Sequence, residues 1–563
     1  MRAIRTLPPI VLVLLLASAV ALAAIAVGAS DAPPPGIPEA AAKLRAGAAG
    51  EAAKILEGVV AREPKNARAW RMLGLASLQA KNLERARASY EKVLSLEPEQ
   101  PQALYNLGVV HALRGEKDDA FRFLGRARAT RKIDMSFAAV DDDLASLRGD
   151  PRLAAILPTA RDFENSFVEP VKVLREWDGE GVNDQFGWIA RDAGDVDGDG
   201  VHDVVTSAPT RAAGGEKAGR IYLYSTRSGK LLWSADGRAA DELGTGVEGA
   251  GDTDGDGVPD VVAGAPGGGR AYIYSGRDGR VLREFHGEKD DQYGRHVSGV
   301  GDVDGDGTAD VIVGAPGKGA GRAELYSGKT GRLLATFSGE REGDAFGSTV
   351  GGATGRTGVL VIVGAPKAGP HRTGRTYVYD RLGGSPRFVI ESDGTGNALG
   401  AMFVSVLGDV DGDGRPDVYA SDWSNGANGP STGRVYVHSG ADGRRLLTLT
   451  GDTAGEGFGI GPATAGDVDG DGHADLVIGA WQYGEAAVSG GRVSLFSGKD
   501  GRRLATYTCR VPGDTFGFDA VGLGDVDGDG VIDLLVTSAW SGVHGYHSGR
   551  VFVISSGVSR ISR

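Results

Sequence analysis

The sequence predicts a multidomain α + all-β protein, in which a short array of paired helices precedes a seven-bladed β-propeller. Three observations support this fold class. Small residues and prolines recur every 34 residues before residue 133, short alternating apolar runs recur seven times after residue 168, and glycine accounts for 92 of the 563 residues. Fixed periods of this kind are typical of repeat proteins, in which each repeat packs mainly on its neighbours.

Residues 1–29 predict a signal peptide or an N-terminal membrane anchor. Arg2 and Arg5 precede an apolar run over residues 10–27, and the small residues Gly28 and Ala29 follow it. The run is long for a signal peptide and just long enough to span a bilayer, so both interpretations stay open. Either one predicts an extracytoplasmic protein that is secreted, periplasmic or at the cell surface. Residues 30–37 form a proline-rich linker.

Residues 38–132 predict helix pairs, because small residues at fixed offsets let two helices approach closely and a proline ends each pair. Ala52, Ala86 and Ala120 are each 34 residues apart, as are Pro64 and Pro98. Together with Trp70, Leu73, Gly74 and Tyr90, this period resembles a tetratricopeptide repeat. Residues 133–162 are expected to add capping helices and a linker.

The helical segment is basic, with eighteen Lys/Arg against eleven Asp/Glu between residues 38 and 132. This charge suits a groove that binds a protein partner. A spacer or a dimerisation module is the alternative, since two to three repeats offer only a small concave surface.

One unit recurs between residues 168 and 557. An aromatic–Gly or Leu–Gly pair opens it, and an aspartate-rich loop, an apolar strand ending in Gly-Ala-Pro or a variant, a Tyr-x-Tyr-Ser-Gly strand and a Gly-Arg-x-Leu strand follow. Seven units with four strands each predict propeller blades. The last unit ends after its third strand, and residues 168–178 match the missing fourth. We expect this segment to complete the seventh blade and remove two open sheet edges.

Six units contain the pattern Asp-x-Asp-x-Asp-Gly-x-x-Asp. Alternate carboxylates converge only if the chain curls, which the glycine permits, and four uncompensated carboxylates this close would repel one another. Oxygen-only donors suit a hard cation, and the four aspartates favour Ca²⁺ over Mg²⁺. Position twelve is not Glu, which excludes an EF-hand.

The predicted calcium ligands are the aspartates at positions one, three, five and nine and the peptide oxygen at position seven. They are Asp195, Asp197, Asp199, Val201, Asp203; Asp252, Asp254, Asp256, Val258, Asp260; Asp302, Asp304, Asp306, Thr308, Asp310; Asp409, Asp411, Asp413, Arg415, Asp417; Asp467, Asp469, Asp471, His473, Asp475; and Asp525, Asp527, Asp529, Val531, Asp533. The fourth unit has Gly351–Arg356 in place of this loop, so about six sites and none in the fourth blade are expected.

Phe-Gly, the Asp-x-Asp-x-Asp-Gly-x-x-Asp loop and Gly-Ala-Pro together resemble the FG-GAP repeat. Over residues 168–557 the chain is similar to the N-terminal seven-bladed propeller of integrin alpha subunits and their bacterial relatives. The resemblance implies calcium loops on one face and ligand binding on the opposite face. Six aspartate loops and very regular repeats set this chain apart from integrins, so no particular integrin ligand is implied.

The loops that join strands two and three of units five to seven lie opposite the calcium loops and are rich in aromatic residues. A protein- or glycan-binding patch is one interpretation. Packing between blades is the other, because each tryptophan replaces the proline of Gly-Ala-Pro. The candidate ligand-binding residues are Trp423, Asn425, Trp481, Tyr483, Trp540, His544 and Tyr546.

Composition narrows the function classes. A net charge of −13 argues against nucleic-acid binding, and the single cysteine, Cys509, excludes intramolecular disulfides. No catalytic constellation is recognisable. The sequence therefore predicts a non-catalytic, calcium-binding, adhesion-like scaffold outside the cytoplasm. The alternatives are a structural envelope assembly factor and a quinone-dependent dehydrogenase-like enzyme, faintly suggested by Ser228–Trp233.

Overall fold

The computed structural model describes residues 36–288, 290–355, 358–461 and 464–559. The chain divides into two compact units, one ending at Arg161 and the other beginning at Asp162. The predicted signal or anchor over residues 10–27 lies outside the described residues. Among the residues that are described, no helix is both long enough and apolar enough to cross a membrane.

The N-terminal unit is a stack of antiparallel helices. They are α1 (Ile37–Arg45), α2 (Ala49–Arg62), α3 (Ala67–Gln79), α4 (Leu83–Leu96), α5 (Pro101–Leu113) and α6 (Lys117–Ala129). The 34-residue period has a structural cause at Gly74 and Gly108. A Cβ there would lie 2.7 Å from the Tyr90 ring and 2.8 Å from Leu124 Cγ, so only glycine lets α4 pack on α3 and α6 on α5 this closely.

The segment after α6 covers the end of the helical stack with short turns. Four 3₁₀ helices follow one another, at Ser136–Ala139, Asp142–Leu147, Pro151–Ala155 and Ala160–Asp162. Leu144, Leu147 and Ile156 are buried and join the core formed by α4, α5 and α6. The apolar face that an unstacked repeat would expose is therefore covered.

The C-terminal unit is a seven-bladed β-propeller of antiparallel sheets. Blades one to three are β2–β5 (Ala190–Gly194, Asp203–Ala208, Arg220–Tyr224, Leu231–Asp236), β6–β9 (Val247–Gly251, Asp260–Ala265, Arg270–Tyr274, Val281–His286) and β10–β13 (Val297–Gly301, Asp310–Ala315, Arg322–Tyr326, Leu333–Ser338). Blades four and five are β14–β17 (Thr349–Gly355, Gly358–Ala365, Arg375–Tyr379, Phe388–Glu391) and β18–β21 (Val404–Val406, Val418–Asp422, Arg434–His438, Arg445–Thr450).

Blades six and seven depart from this regular order. Blade six has a divided innermost strand, β22 (Phe458–Ile460) and β23 (Thr464–Gly466), followed by β24 (Asp475–Ala480), β25 (Arg492–Phe496) and β26 (Arg503–Thr508). Blade seven combines β27 (Ala520–Gly524), β28 (Asp533–Ser538) and β29 (Arg550–Ser555) with β1 (Val173–Asp178) from the start of the propeller. β1 pairs antiparallel with β29, from Val173 opposite Ile554 to Asp178 opposite Arg550.

The closing segment is shorter as a strand than the 168–178 stretch that the sequence suggests. Residues before β1 take another course: Phe167 forms a β-bridge with Cys509, and the Val168 N–H donates to Thr508 O at 2.9 Å. Thr508 is the last residue of β26 in blade six. The segment thus contacts blade six first and completes blade seven only from Val173.

The innermost strands of neighbouring blades approach one another closely around a central channel. A Cβ on Gly249 would lie 2.6 Å from Asp192 O in the next blade, and a Cβ on Gly522 would lie 2.6 Å from Ala465 O. Larger residues would force the blades apart at these points. A cavity of about 250 Å³ remains in the channel, lined by Arg191, Glu248, His296 and Phe403 among others.

Candidate metal centres

The six acidic loops connect the innermost strand of a blade to its second strand and share one backbone geometry. In the first loop, the N–H groups of Gly198 and Gly200 donate to the two oxygens of Asp195, each at 2.9 Å. Both glycines have positive φ, 76° and 85°. The bond from the position-six glycine to the position-one aspartate recurs in all six loops at 2.7–3.0 Å. Six independent loops therefore curl in the same way.

The residue at position seven helps to orient the carboxylate at position five. Val201 N donates to Asp199 Oδ1 at 2.9 Å, and the same bond occurs in the other five loops at 2.9–3.0 Å. The backbone thus fixes Oδ1 of the position-five aspartate, and Oδ2 lies 3.0–3.6 Å from a basic side chain in four of the loops. The peptide oxygens of Val201 and its five equivalents remain predicted ligands.

The position-nine aspartate anchors each loop from within the protein. These six side chains are at most 1% exposed. In the first loop, Asp203 Oδ2 accepts the N–H groups of Val196 at 2.9 Å and Asp197 at 3.2 Å, and Oδ1 accepts the N–H of Thr226 at 3.1 Å. Thr226 lies in the hairpin between strands three and four. Burial raises the pKa of Asp203 to about 6, because the charged carboxylate loses solvation there.

The donor atoms of four loops converge on a common point. One oxygen from each of three aspartates lies within 4.8 Å of the others in the groups Asp195–Asp197–Asp199, Asp252–Asp254–Asp260, Asp302–Asp304–Asp306 and Asp409–Asp411–Asp417. Only oxygen atoms are offered, and no cysteine or histidine nitrogen belongs to these four groups. Such a donor set fits a hard divalent cation such as Ca²⁺ and does not fit Zn²⁺ or Cu²⁺.

The fourth blade has a different connection. Gly351 to Gly355 belong to β14, which pairs directly with β15 as far as Gly355 opposite Gly358. The sequence contains no aspartate or glutamate between Thr349 and Ala365. This hairpin offers no carboxylate to a cation, and the blade nevertheless keeps four strands.

A basic residue that the sequence predictions did not include lies beside each acidic loop. We call the residue that directly precedes the fourth strand of a blade the clamp residue. Clamp residues reach the position-three aspartate in five blades: Arg280–Asp254 at 3.4 Å, Arg332–Asp304 at 3.4 Å, Arg444–Asp411 at 3.0 Å, Arg502–Asp469 at 2.7 Å and Lys172–Asp527 at 2.6 Å. In blade one, Arg227 contacts Asp199 at 3.2 Å instead. The repeated Gly-Arg-x-Leu motif was the signal for the four arginine clamp residues.

The candidate ligand residues divide into buried and accessible side chains. Asn425, Trp481 and Tyr483 are 0%, 5% and 8% exposed. Asn425 Nδ2 donates to Asp393 Oδ1 at 3.1 Å, and Trp481 packs edge-on against Trp540 at 4.9 Å between ring centroids. These three side chains contribute to the interior. Trp423, Trp540 and Tyr546 are half-buried and His544 is exposed.

A further aromatic residue joins this face. Trp188 follows the opening pair Phe186-Gly187, is half-buried, and packs on Phe518 at 4.9 Å. Phe518 in turn contacts Trp540, and Trp540 stacks on His547. We call Trp188, Trp540, Tyr546 and His547 the aromatic patch. It lies at the ends of strands opposite the acidic loops, because successive connections of an antiparallel meander alternate between the two faces.

The central channel contains a buried charge cluster. Arg191, 3% exposed, forms ion pairs with Asp519 and with Glu248, the latter at 3.0 Å. Burial raises the pKa of Glu248 and lowers the pKa of His296 to about 3. The positive charge of Arg191 is therefore already shared between two acids.

Fold and loops define a class of protein: a helical repeat array joined to a seven-bladed propeller with acidic loops on one face. Comparison with known families agrees in both units. A family model described as FG-GAP-like repeat matches residues 252–313 and 409–478, and one described as FG-GAP repeat matches residues 192–224. A tetratricopeptide repeat model matches residues 38–96 and 82–132. The chain therefore carries tetratricopeptide repeats followed by an FG-GAP β-propeller.

Individual relatives cover smaller parts of the chain. Integrin alpha-4 from Xenopus laevis is 31% identical over 214 residues, 34% of this chain and 20% of that protein. Integrin alpha-PS2 from Drosophila melanogaster is 36% identical over 151 residues, 25% of this chain and 10% of that protein. FK506-binding protein-like from Mus musculus is 37% identical over 109 residues, 18% of this chain and 30% of that protein. The chain thus spans at most about a fifth of these integrins.

Proposed function

We propose that this protein is a non-catalytic, calcium-binding, adhesion-like scaffold that works outside the cytoplasm. One observation carries the proposal: six loops of different blades present oxygen-only donors in the same curled backbone geometry. Ca²⁺ would be held by the aspartates at positions one, three and five, with the buried position-nine aspartate anchoring the loop. When bound, the ion supplies positive charge that offsets the repulsion among these carboxylates and orders the rim of the propeller.

A ligand would bind on the face opposite the loops. The aromatic patch offers large, partly accessible rings there, and such rings suit a protein or a glycan surface. The helical repeats would supply a second protein-binding surface or a spacer. Trp233, which carries the faint resemblance to a quinone-dependent dehydrogenase, is only 9% exposed, and its Nε1 donates to Gly276 O at 2.6 Å in the next blade. This tryptophan packs blades together.

Calcium binding can be tested by isothermal titration of the full chain in chelator-treated buffer. We expect saturable binding of about six Ca²⁺ ions, with weaker heats for Mg²⁺. Asp304→Asn should remove one site or weaken it at least tenfold, since it deletes a charged donor. Asp380→Asn is the matched control, because Asp380 pairs with Arg387 at 3.0 Å in the hairpin of blade four, the blade without an acidic loop. Absence of Ca²⁺ binding to the unaltered chain would refute the proposal.

The ligand face needs its own experiment. The full chain is applied to a glycan array and used as bait for extracellular proteins, with Ca²⁺ present. Trp540→Ala should abolish binding of any ligand that the unaltered chain retains. Leu333→Ala is the control, because Leu333 is 46% exposed at the outer edge of blade three, outside the aromatic patch. Equal binding by Trp540→Ala would exclude the patch as the ligand site.

A further inference from the structure

Blade seven differs from the other loop-bearing blades in how its fourth strand is supplied. In blades one, two, three, five and six, the fourth strand follows the third through a short hairpin. An N–H of that hairpin donates to Oδ1 of the position-nine aspartate at 2.9–3.1 Å. In blade seven no hairpin is possible, because β1 comes from the other end of the propeller. Asp533 Oδ1 is buried there without a hydrogen-bond partner among the described residues.

The clamp residue of blade seven contacts two aspartates of its acidic loop, more than any other clamp residue does. Lys172 Nζ lies 2.6 Å from Asp527 Oδ2 and 3.1 Å from Asp529 Oδ2, whereas the other four clamp residues each contact one aspartate of their acidic loop, at 2.7–3.4 Å. Lys172 and Asp527 are 355 residues apart in sequence. Lys172 O accepts the N–H of Ser555 at 2.9 Å, so the lysine stands at the junction of β1 and β29.

The ammonium group of Lys172 contacts the oxygens that a metal ion would use. Asp527 Oδ1 accepts the N–H of Asp529 at 3.2 Å, and Asp529 Oδ1 accepts the N–H of Val531 at 2.9 Å. The backbone therefore holds both Oδ1 atoms in place. The two Oδ2 atoms are also donors for a cation, and Lys172 binds both of them.

We propose that Lys172 couples closure of the propeller ring to calcium binding in blade seven, because its ammonium group and the ion compete for Asp527 Oδ2 and Asp529 Oδ2. The inference rests on the proposed function only in that this loop binds Ca²⁺. Competition is reciprocal: the lysine contact lowers the calcium affinity of the loop, and calcium weakens the contact by the same factor. The blade-seven loop therefore binds Ca²⁺ at a higher Ca²⁺ concentration than it would without the lysine. Binding of the ion in turn weakens the contact that Lys172 makes next to the closing strand β1.

Hydrogen exchange read by mass spectrometry can follow each loop separately in the full chain, across a Ca²⁺ titration. Lys172→Met should lower the Ca²⁺ midpoint for protection of Asp525–Asp533 by about three- to fivefold, the size that loss of an exposed ion pair allows. The five other loops should keep their midpoints. In chelator, the same variant should also speed exchange in Val173–Asp178, since the pairing of β1 loses a contact that no hairpin replaces.

Two matched variants sharpen the test. Arg332→Met removes the equivalent clamp of blade three, where the hairpin is intact, and should leave exchange in Leu333–Ser338 unchanged. Lys172→Arg keeps the charge and should shift the blade-seven midpoint less than about twofold. Lys172 is 56% exposed, so its replacement should not prevent folding. An unchanged or higher blade-seven midpoint in Lys172→Met would overturn the inference, whereas a lack of calcium-dependent protection in every loop of the unaltered chain would instead refute the proposed function.

Discussion

At the scale of single residues, the acidic loops show which residue roles a repeated sequence motif can predict and which it cannot. The spacing of the aspartates and glycines indicated the loop, because a curl with alternate carboxylates needs those residue types. It did not distinguish the roles of the four aspartates. Asp203 and its equivalents are buried, and in every loop-bearing blade except blade seven they are bound by backbone N–H groups from two segments, one of them a hairpin about twenty residues further along the chain.

The central channel gives a residue-scale prediction on pH. His296 is half-buried there, its Nδ1 accepts the N–H of Val350 at 3.4 Å, and Arg191 and Arg295 oppose a positive charge on the ring, while burial lowers its pKa to about 3. Between pH 6.5 and 3 the unfolded chain binds a proton that the folded ring does not bind. Stability is therefore lost as the pH falls through that window.

His296→Gln should remove this loss. We expect the unaltered chain to lose about 1 kcal/mol more than the variant between pH 7 and pH 5 in urea unfolding with chelator present, less than the full pKa shift implies because part of the ring is exposed. His286→Gln serves as the control, since His286 is 65% exposed. Parallel pH profiles for the unaltered chain and His296→Gln would contradict the prediction.

At the scale of strands and blades, the sequence indicated most of the architecture. Seven opening pairs specified seven blades, and the match between residues 168–178 and other fourth strands pointed to the partner of β29. The details that could not be predicted from the sequence depend on tertiary contacts. The preceding residues Phe167 and Val168 pair with blade six, and Trp481 lies in the interior because the neighbouring Phe518 and Trp540 enclose it. No local pattern reports which aromatic ring a neighbouring blade will cover.

Contacts between blades carry a prediction of their own. Trp233 of β5 lies against Gly279 in the hairpin of blade two, where a Cβ would come within 2.8 Å of the indole, and its Nε1 donates to Gly276 O. Trp233→Ala should destabilise the propeller by about 3 kcal/mol or more through the cavity it leaves. Trp233→Phe should cost about 1 kcal/mol, mainly through the lost hydrogen bond.

Urea unfolding of the full chain, followed by circular dichroism in the strand region, measures both effects. Leu232→Ala is the neighbouring control on the same strand, because Leu232 is 38% exposed and its truncation should cost less than about 0.5 kcal/mol. If Trp233→Ala were no more destabilising than Leu232→Ala, the blades would not depend on this contact.

At the scale of the whole molecule, the two units must be stabilised by different means. Each helical repeat buries apolar residues against the next one. The propeller has to hold seven sheets in a ring without a disulfide, since its single cysteine, Cys509, is buried and free. In blade seven the ring is joined by strand pairing and side-chain contacts between distant parts of the chain. Ions that bind only the folded loops would add stability where covalent links are missing.

This division predicts that calcium acts on one unfolding transition and leaves the other unchanged. At a free Ca²⁺ concentration of one hundred times Kd, each site adds about 2.7 kcal/mol to the folded propeller. Calorimetry of the full chain, with circular dichroism at helix and strand wavelengths, should therefore show the strand transition moving up by well over 10 °C between chelator and saturating Ca²⁺, while the helix transition stays in place. The sequence of the helical unit contains no such loop, so this unit provides the internal control. A common shift of both transitions would mean that the two units unfold together, and no shift in either would mean that the acidic loops do not stabilise the fold by binding the ion.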